Sequence, residues 1–233
     1  MKIQRISNVS NREYRDFWVE STLEQLSRPG SNLTLLDVGA GEGPYKKMAK
    51  QHGFEYQSHD FNQYQPQKSE LGFQDPSWIY PEHNYVCDIL DIPEGNAFDV
   101  LLCTEVFEHI PDPVAAFKKI VRLVKPGGHL VISVPLASHI HQSPYYFSSG
   151  LSPYWFMHWS DQVGLEIQTL SIQGDYVDRM KQDVKTLLNF KHPYFIPGLA
   201  RAASAALGLT RAFVREEVLN STGFGTIYIG KKI

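Results

Sequence analysis

Three glycines at alternate positions follow an apolar run that ends in an acid. The segment Leu35–Pro44 has the sequence LLDVGAGEGP, and the residues from Thr34 to Val38 predict a buried parallel strand. Pro44 predicts the first position of a helix. Glycines at such a turn allow backbone N–H groups and a helix N-terminus to lie close to a bound ligand. The segment therefore predicts a ligand-binding loop between a strand and a helix.

The spacing of the glycines also indicates the kind of ligand. A dinucleotide site has the pattern G-x-G-x-x-G, and Pro44 stands where the last glycine of that pattern would be. A carboxylate directly before the glycines, Asp37 here, suits a cationic ligand that carries an amino-acid group better than it suits a pyrophosphate. We therefore expect a ligand other than a nicotinamide dinucleotide.

Side chains that can bind or react also lie at or just after the ends of three later predicted strands. They are Asp60, Asp88 with Ile89, and Glu105 with His109. Parallel strands end at one edge of a sheet, and open α/β sheets bind their ligands at that edge, so we expect these residues near the glycine loop. Glu105 and His109 are four positions apart and would share one face if their segment is helical.

Together these segments resemble class I S-adenosylmethionine-dependent methyltransferases. The resemblance covers about residues 30–172, including the sequence FDVLLCTEVFEHI, and a final strand near residues 224–231. It implies that S-adenosylmethionine is the cofactor, with its methionine end at the glycine loop and its ribose hydroxyls on Asp60. It further implies that Asp88 meets the adenine amino group, that Ile89 packs on the ring and that Glu105 lies near the sulfonium. The implied cofactor-binding residues are Asp37, Gly39, Gly41, Gly43, Asp60, Asp88, Ile89 and Glu105.

The order of the predicted elements favours an α/β fold. Strands alternate with helices, as in a doubly wound parallel sheet, and a capping box at Ser10–Glu13 opens a helix that ends near Leu26. The resemblance implies a Rossmann-like sheet of seven strands with the last strand antiparallel and helices on both faces. The predicted strands are Thr34–Val38, Glu55–His59, Tyr85–Ile89, Phe98–Cys103, His129–Val134, Leu165–Ile172 and Phe224–Gly230.

The connections divide the 233 residues into parts of one domain. The parts are an N-terminal helix over 1–29, a cofactor-binding core over 30–172, a helical insertion over 173–222 and the final strand over 223–233. Further helices are predicted over 44–52, 113–124 and 151–163. The sequence KPGG at 125–128 predicts a helix stop and a tight turn, and the polar segment 62–84 is long enough to predict a functional loop.

Composition argues against several classes of protein. The formal net charge of −3 provides no basic field for a nucleic acid. Cys87 and Cys103 lie in apolar runs and are expected to be buried free thiols, and without CxxC or Cys/His ligand spacing we predict no metal. The N-terminal residues lack an apolar signal-peptide core and no stretch is long enough to span a bilayer, so we expect a cytoplasmic protein.

Three histidines are candidate catalytic residues, and two of them, His139 and His141, could act as the base that a hydroxyl acceptor would need. His139 and His141 follow the fifth predicted strand in the sequence SHIHQSPYYFSSGL, which is similar to a segment of small-molecule methyltransferases. Many of those relatives carry an arginine among the aromatic residues, and this chain does not. His109 is the third candidate. For each histidine, a purely structural or loop role is the alternative.

Aromatic side chains could form the wall of an acceptor pocket. The candidates are Tyr14 and Trp18 in the first helix and Tyr145 and Tyr146 in the later loop. Such faces attract a nearby sulfonium cation by about 0.5–2 kcal/mol. The alternative is that the residues at helical spacing pack in the core.

The insertion carries a wide apolar face with arginines at its ends. Leu199, Leu207 and Phe213 belong to that face, and Arg211 and Arg215 are among its cations. The face could cover a bulky acceptor, contact a second subunit in a homodimer, rest on a membrane surface as a peripheral contact, or pack on the sheet.

The sequence thus predicts an enzyme that transfers a methyl group to a small-molecule acceptor, with oxygen favoured over nitrogen or carbon. In-line displacement requires chiefly that donor and acceptor are aligned. The resemblance extends to bacterial enzymes of secondary-metabolite, quinone and surface-glycan pathways. Two alternatives remain: an S-adenosylmethionine-binding protein without catalysis, whose insertion is an interaction surface, and a nicotinamide dehydrogenase, which Pro44 disfavours.

Overall fold

Eight strands form one mixed sheet in the computed structural model, which describes residues 2–4, 10–27, 30, 32–67, 71–95, 97–189 and 197–233. The strands are β1 Lys2–Gln4, β2 Thr34–Val38, β3 Glu55–Asp60, β4 Tyr85–Val86, β5 Phe98–Thr104, β6 Val124–Pro135, β7 Leu165–Gln173 and β8 Gly225–Lys232. The helices are α1 Asn11–Leu26, α2 Lys46–Gln51, α3 Pro113–Leu123, α4 Pro153–Gln162, α5 Tyr176–Asn189, α6 Pro197–Thr210 and α7 Glu216–Leu219.

The strand order is β1-β7-β8-β6-β5-β2-β3-β4, and β8 is antiparallel to both of its neighbours while the other pairs are parallel. The predicted Rossmann-like fold with an antiparallel last strand is confirmed. The additional strand β1 pairs with β7 at one edge. From β2 the chain first adds β3 and β4 on one side and then returns to add β5 on the other, so the order reverses between β2 and β5.

Several predicted boundaries are wrong for local reasons. The third predicted strand is only two residues long, because the Asp88 carboxylate accepts a hydrogen bond from the Leu90 backbone N–H and opens a 3-10 turn over Ile89–Asp91. Helix α2 begins at Lys46 rather than at Pro44. The predicted tight turn at 125–128 lies inside β6, where Gly127 has a φ of +76°.

Apolar layers cover both faces of the sheet. Alternate residues of β8 enter different layers: Tyr228 packs with the α3 and α4 side, whereas Ile227 packs with the α1 and α2 side. Cys103 is a fully buried thiol in the first layer and Cys87 is half-buried beside it, and both are free as predicted.

Ion pairs connect the later part of the insertion to its beginning, just after β7. Arg211 donates to the buried carboxylates of Asp175, at 2.9 Å, and Asp178. Phe213 nevertheless remains 89% exposed. Among the residues that the structure describes, no helix has the length and apolarity needed to cross a bilayer. Whether the insertion contacts a second subunit or a membrane surface stays a prediction.

Phe117 is the side chain to test for the α3–α4 layer. Its buried ring makes edge contacts with Phe107, Trp155 and Tyr228. We expect Phe117→Ala to lower the free energy of unfolding by about 3–5 kcal/mol, because it leaves a cavity that this layer cannot refill. Phe213→Ala, the matched control at an exposed site, should change it by less than about 0.5 kcal/mol. Urea unfolding measures both, and equal losses would contradict this assignment of the core.

Candidate active site

A cavity of about 780 Å³ opens at the carboxyl ends of β2, β3 and β5, beside the reversal of strand order. Nine of the residues predicted from the sequence line it together. They are Gly39, Gly41, Asp60, Asp88, Ile89, Glu105, His109, His141 and Tyr145. The main prediction, that the ends of separate strands meet at one ligand site, is in agreement with this geometry.

The glycine loop comes close to neighbouring segments and could not carry side chains. Gly39 and Gly41 have φ values of +68° and +55°. A Cβ atom on Gly39 would lie 2.5 Å from Val106, and one on Gly41 would lie 2.9 Å from Trp78. Glycine is therefore required at both positions, because a larger residue would be strained and would collide with the cavity lining.

Asp60 holds this loop in place. Its carboxylate accepts hydrogen bonds from the Gly41 N–H at 2.8 Å and from the Asn62 N–H at 2.9 Å. The side chain is buried, yet it lines the cavity. Asp60 thus fixes the position of the loop and presents a carboxylate to whatever occupies the cavity.

Asp37 and Gly43 lie near the loop but are not among the residues that line the cavity. Asp37 is buried beneath it, where its carboxylate accepts a hydrogen bond from the Tyr56 hydroxyl at 2.8 Å. Burial raises the pKa of Asp37 to about 7, although the hydrogen bond from Tyr56 opposes the rise. The direct contact of Asp37 with the cofactor, predicted from the sequence, therefore remains a prediction.

The Glu105–His109 segment is not an α-helix, so the condition for a shared helical face is not met. Glu105 has a φ of +53° and is followed by a 3-10 turn over Phe107–His109. One Glu105 carboxylate oxygen accepts a hydrogen bond from the Ser133 hydroxyl at 2.8 Å. Both residues still line the cavity: Glu105 lies just before the 3-10 turn, and His109 lies at its end.

Arg15 of α1 is a site residue that the sequence analysis did not identify. Its guanidinium lies 3.3 Å from the Glu105 carboxylate and donates to the Tyr45 hydroxyl at 3.2 Å. Burial alone would lower the pKa of Arg15, but Glu105 and Tyr45 raise it, so the side chain remains charged. Arg15 lies three residues before the buried Trp18, so the two side chains share one side of the helix. This spacing could have indicated that Arg15 faces the interior.

Described residues of the segment 62–84 form part of the cavity wall. Tyr64, Trp78 and Tyr80 line the cavity, and their rings meet edge to face at centroid distances of 5.7 and 5.9 Å. The indole N–H of Trp78 is buried and has no hydrogen-bond partner among the described residues. The prediction of a functional loop is consistent with this placement.

The four residues of the predicted aromatic wall do not lie together in the structure. Tyr145 lines the cavity, whereas Trp18 is buried in the core layer between the sheet and helices α1 and α2, and Tyr14 packs against that layer. Tyr146 donates to the backbone carbonyl of Ser138 at 2.8 Å. Of the four residues, Tyr145 is the one that the structure brings to this cavity.

A second cavity, of about 800 Å³, adjoins the first beyond the end of β6. Both cavities are lined by Glu105 and His141, so these side chains mark their junction. His139 lines the second cavity, where its Nε2 atom lies 3.1 Å from Asp183. The three candidate histidines are therefore separated, with His139 apart from the other two.

His109 and His141 lie side by side, with ring centroids 4.7 Å apart. The Nδ1 atom of His109 is 2.5 Å from the backbone carbonyl of Tyr145. Burial, with His141 as a neighbour, lowers the pKa of His109 to about 4, so its imidazole is neutral near pH 7. A neutral ring with so low a pKa is a weak proton acceptor, and this favours His141 over His109 as the histidine that acts on an acceptor.

Known proteins resemble this chain in sequence and in fold. A family model described as "Methyltransferase domain" matches residues 10–199. The ubiquinone biosynthesis O-methyltransferase of Ralstonia nicotianae is 28% identical over 116 residues, which are 50% of this chain and 47% of that protein. The chain thus spans about half the length of the curated relatives that it matches.

Two solved structures share the fold. The [4+2]-cyclase SpnF superposes with a TM-score of 0.55 at 17% identity, over 99% of this chain and 85% of that one. Phosphoethanolamine N-methyltransferase 2 of Haemonchus contortus, in complex with phosphomonomethylethanolamine and S-adenosylhomocysteine, superposes with a TM-score of 0.52 at 17% identity, over 91% of this chain and 51% of that one. At these identities the likeness concerns the fold.

The raised pKa of Asp37 predicts a specific dependence of stability on pH. The pKa of Asp37 is about 7 in the folded protein, whereas the ordinary value of an aspartate is 3.8. Between these two pH values the folded state therefore keeps a proton that the unfolded chain has released. This group therefore lowers stability progressively as the pH rises from about 4 to about 7.

Asp37→Asn keeps a partner for the Tyr56 hydroxyl and removes this titration. We expect the variant to gain stability relative to the native chain by a larger amount at pH 8 than at pH 5, with each unit of pKa worth about 1.4 kcal/mol. Urea unfolding at the two pH values measures the difference. A gain that is the same at both pH values would show that Asp37 is ionised in the folded protein.

Proposed function

The chain belongs to the family of methyltransferase domains, and from this we propose that it transfers a methyl group from S-adenosylmethionine to an oxygen atom of a small-molecule acceptor. The observation that carries the proposal is the pair of adjoining cavities with Glu105 and His141 at their junction. One cavity would hold the methyl donor and the other the acceptor. The reacting atoms would then meet between them.

The residues of the first cavity fit an adenosyl sulfonium ligand. Its volume of about 780 Å³ lies within the range of about 300–1,000 Å³ that is typical of cofactor sites. Asp60 and Asp88 offer carboxylates to hydroxyl and amino groups, and the buried Trp78 N–H is a donor without a partner among the described residues. When bound, S-adenosylmethionine supplies a methyl group that is already activated by a positively charged sulfur.

The side chains of the cavity can recognise the two ends of such a ligand. Glu105 presents negative charge close to where a sulfonium would lie, and Arg15, beside it, can pair with an amino-acid carboxylate. Gly39 and Gly41 have no side chains, and their backbone lines the cavity where that end would lie. The residues of this chain thus bind and orient the donor, which is most of what an in-line displacement requires.

The second cavity supports an acceptor with an aromatic ring that carries a hydroxyl group. Phe73 and Phe224 give it apolar surfaces, while Ser138 and Arg179 add polar groups. The relative from Ralstonia nicotianae is named as an O-methyltransferase of ubiquinone biosynthesis, which agrees with an oxygen acceptor. A hydroxyl must lose its proton during transfer, and His141 at the junction is placed to assist that loss.

The alternative function is cofactor binding without methyl transfer. The cyclase SpnF, which shares the fold, shows that this architecture also occurs in proteins named for other reactions. The exposed part of the insertion, including Phe213, would then be an interaction surface. The alternative predicts that adenosyl ligands bind while no acceptor is methylated.

A binding experiment tests the donor site. We expect calorimetric titration with S-adenosylhomocysteine to show saturable binding, and Asp88→Ala to weaken it by about tenfold or more, since it removes a cavity carboxylate. Asp91→Ala is the matched control, because Asp91 is an exposed acid that lies outside the cavity lining. Binding of NAD in place of the adenosyl ligands would contradict the proposal.

A transfer experiment tests the acceptor site. With radiolabelled S-adenosylmethionine and a panel of phenols and catechols, we expect His141→Gln to lower kcat by about 10²-fold or more while the affinity for S-adenosylhomocysteine is unchanged. His158→Gln removes an exposed imidazole from α4 and should retain full activity. Retained binding without labelled product on any acceptor would favour the alternative function.

A further inference from the structure

We infer that Glu108, His109 and His141 form a binding site for one divalent transition-metal ion. The Glu108 carboxylate lies 3.8 Å from Nε2 of His109 and 3.9 Å from Nε2 of His141. One donor atom from each of the three side chains lies within 4.8 Å of the other two. The three residues therefore surround a common point from two segments of the chain.

The hydrogen bonds of the histidines leave the correct nitrogen atoms for a metal. Nδ1 of His109 lies 2.5 Å from the carbonyl oxygen of Tyr145, and Nδ1 of His141 lies 2.9 Å from the carbonyl oxygen of His139. A carbonyl oxygen only accepts, so Nδ1 carries the proton in both rings and Nε2 keeps its lone pair. A second nitrogen bonded to a backbone carbonyl is the usual support of a metal-binding histidine.

The burial of Glu108 is an independent indication that a cation binds here. Its side chain is 0% exposed, and neither carboxylate oxygen has a hydrogen-bond partner among the described residues. A buried carboxylate without a partner is costly, and buried charges are normally paired or bound to a metal. A cation between Glu108 and the two histidines would satisfy this carboxylate.

The backbone holds the two segments of the site together. The carbonyl oxygen of Glu108 accepts hydrogen bonds from the N–H groups of Phe147, at 2.8 Å, and Ser148, at 3.3 Å. The loop that carries His141 is thereby joined to the 3-10 turn that carries Glu108 and His109. Metal–ligand bonds of about 2.0–2.2 Å place neighbouring ligand atoms roughly 3–3.6 Å apart, so small side-chain rotations would complete the site.

The donor set selects the kind of ion. Two imidazole nitrogens and one carboxylate favour zinc, cobalt, iron or manganese, whereas magnesium and calcium prefer oxygen ligands alone. Three protein ligands leave at least one coordination position open, as in catalytic metal sites. His109 and His141 line the first cavity and His141 also lines the second, so an open position would face their junction.

The role of the ion rests on the proposed function, although its binding does not. An acceptor hydroxyl at the open position would release its proton to water more readily, because a divalent cation lowers the pKa of a bound hydroxyl. His141 would then assist the reaction as a ligand rather than as a base. The sequence predicts no metal, because it lacks CxxC or Cys/His ligand spacing and His141 is far from Glu108 along the chain.

Titration of the purified chain with Co²⁺, after removal of any affinity tag and of bound metal, tests the site. We expect saturable visible absorption with one ion per chain, displaced by Zn²⁺ but not by Mg²⁺. Glu108→Gln and His141→Gln should each weaken Co²⁺ binding by about tenfold or more. His139→Gln is the matched control, because it removes a neighbouring imidazole that lies outside the cluster, and it should bind Co²⁺ as the native chain does.

Urea unfolding of the same variants serves as the measure of correct folding, and S-adenosylhomocysteine is titrated in parallel. If Glu108→Gln fails to fold, the partly exposed His141→Gln decides the question. Absence of saturable Co²⁺ binding, or equal binding by the native chain and a folded Glu108→Gln or His141→Gln variant, would overturn the inference. Failure of the native chain to bind S-adenosylhomocysteine would instead contradict the proposed function and would leave the cobalt titration unaffected.

Discussion

The parallel register of β2 between β3 and β5 is the constraint on which the site depends. Val38 pairs with His59 on one side, and Asp37 pairs with Leu102 on the other, so the three strands end at nearly one level. Each chain segment leaves the sheet there with a residue that lines the cavity. These residues are Gly39 after β2, Asp60 at the end of β3 and Glu105 after β5. A shift of one strand by a single residue would exchange the faces of its side chains and separate this set.

Strands β2 and β5 are mostly buried and could be predicted from the sequence, because their apolar runs leave little choice of boundary. The prediction for β2 is identical to the structure, and those for β3 and β5 differ by one residue at one end. The short strand β4 could not be predicted, since its length is set by the cap that Asp88 forms and not by apolar content. The glycine loop and Asp60 were predictable for the same reason as the strands, because each lies next to one.

The rest of the site depends on contacts between distant segments, which no local pattern encodes. Arg15 reaches the cavity only because α1 packs its Trp18 face onto the sheet. Trp78 reaches the cavity because the part of the chain that carries it lies beside Gly41. The meeting of His141 with Glu108 depends on hydrogen bonds between the loop after β6 and the 3-10 turn after β5. Residue types suggested that these segments carry chemistry, but not which of them would meet.

The two cavities are formed by different kinds of structural element, so their residues differ in how freely they can be changed. The first cavity is fixed by strand ends and by glycine positions where a side chain would be strained and would collide with its neighbours, so its geometry follows from the sheet itself. The second cavity is formed by the loop after β6 and by α5, with Ser138, Arg179 and Gln182 among its residues. Those segments can change without altering the register of the sheet. Glu105 and His141 belong to both cavities, so the chemistry at the junction is the feature that would persist while the acceptor changes.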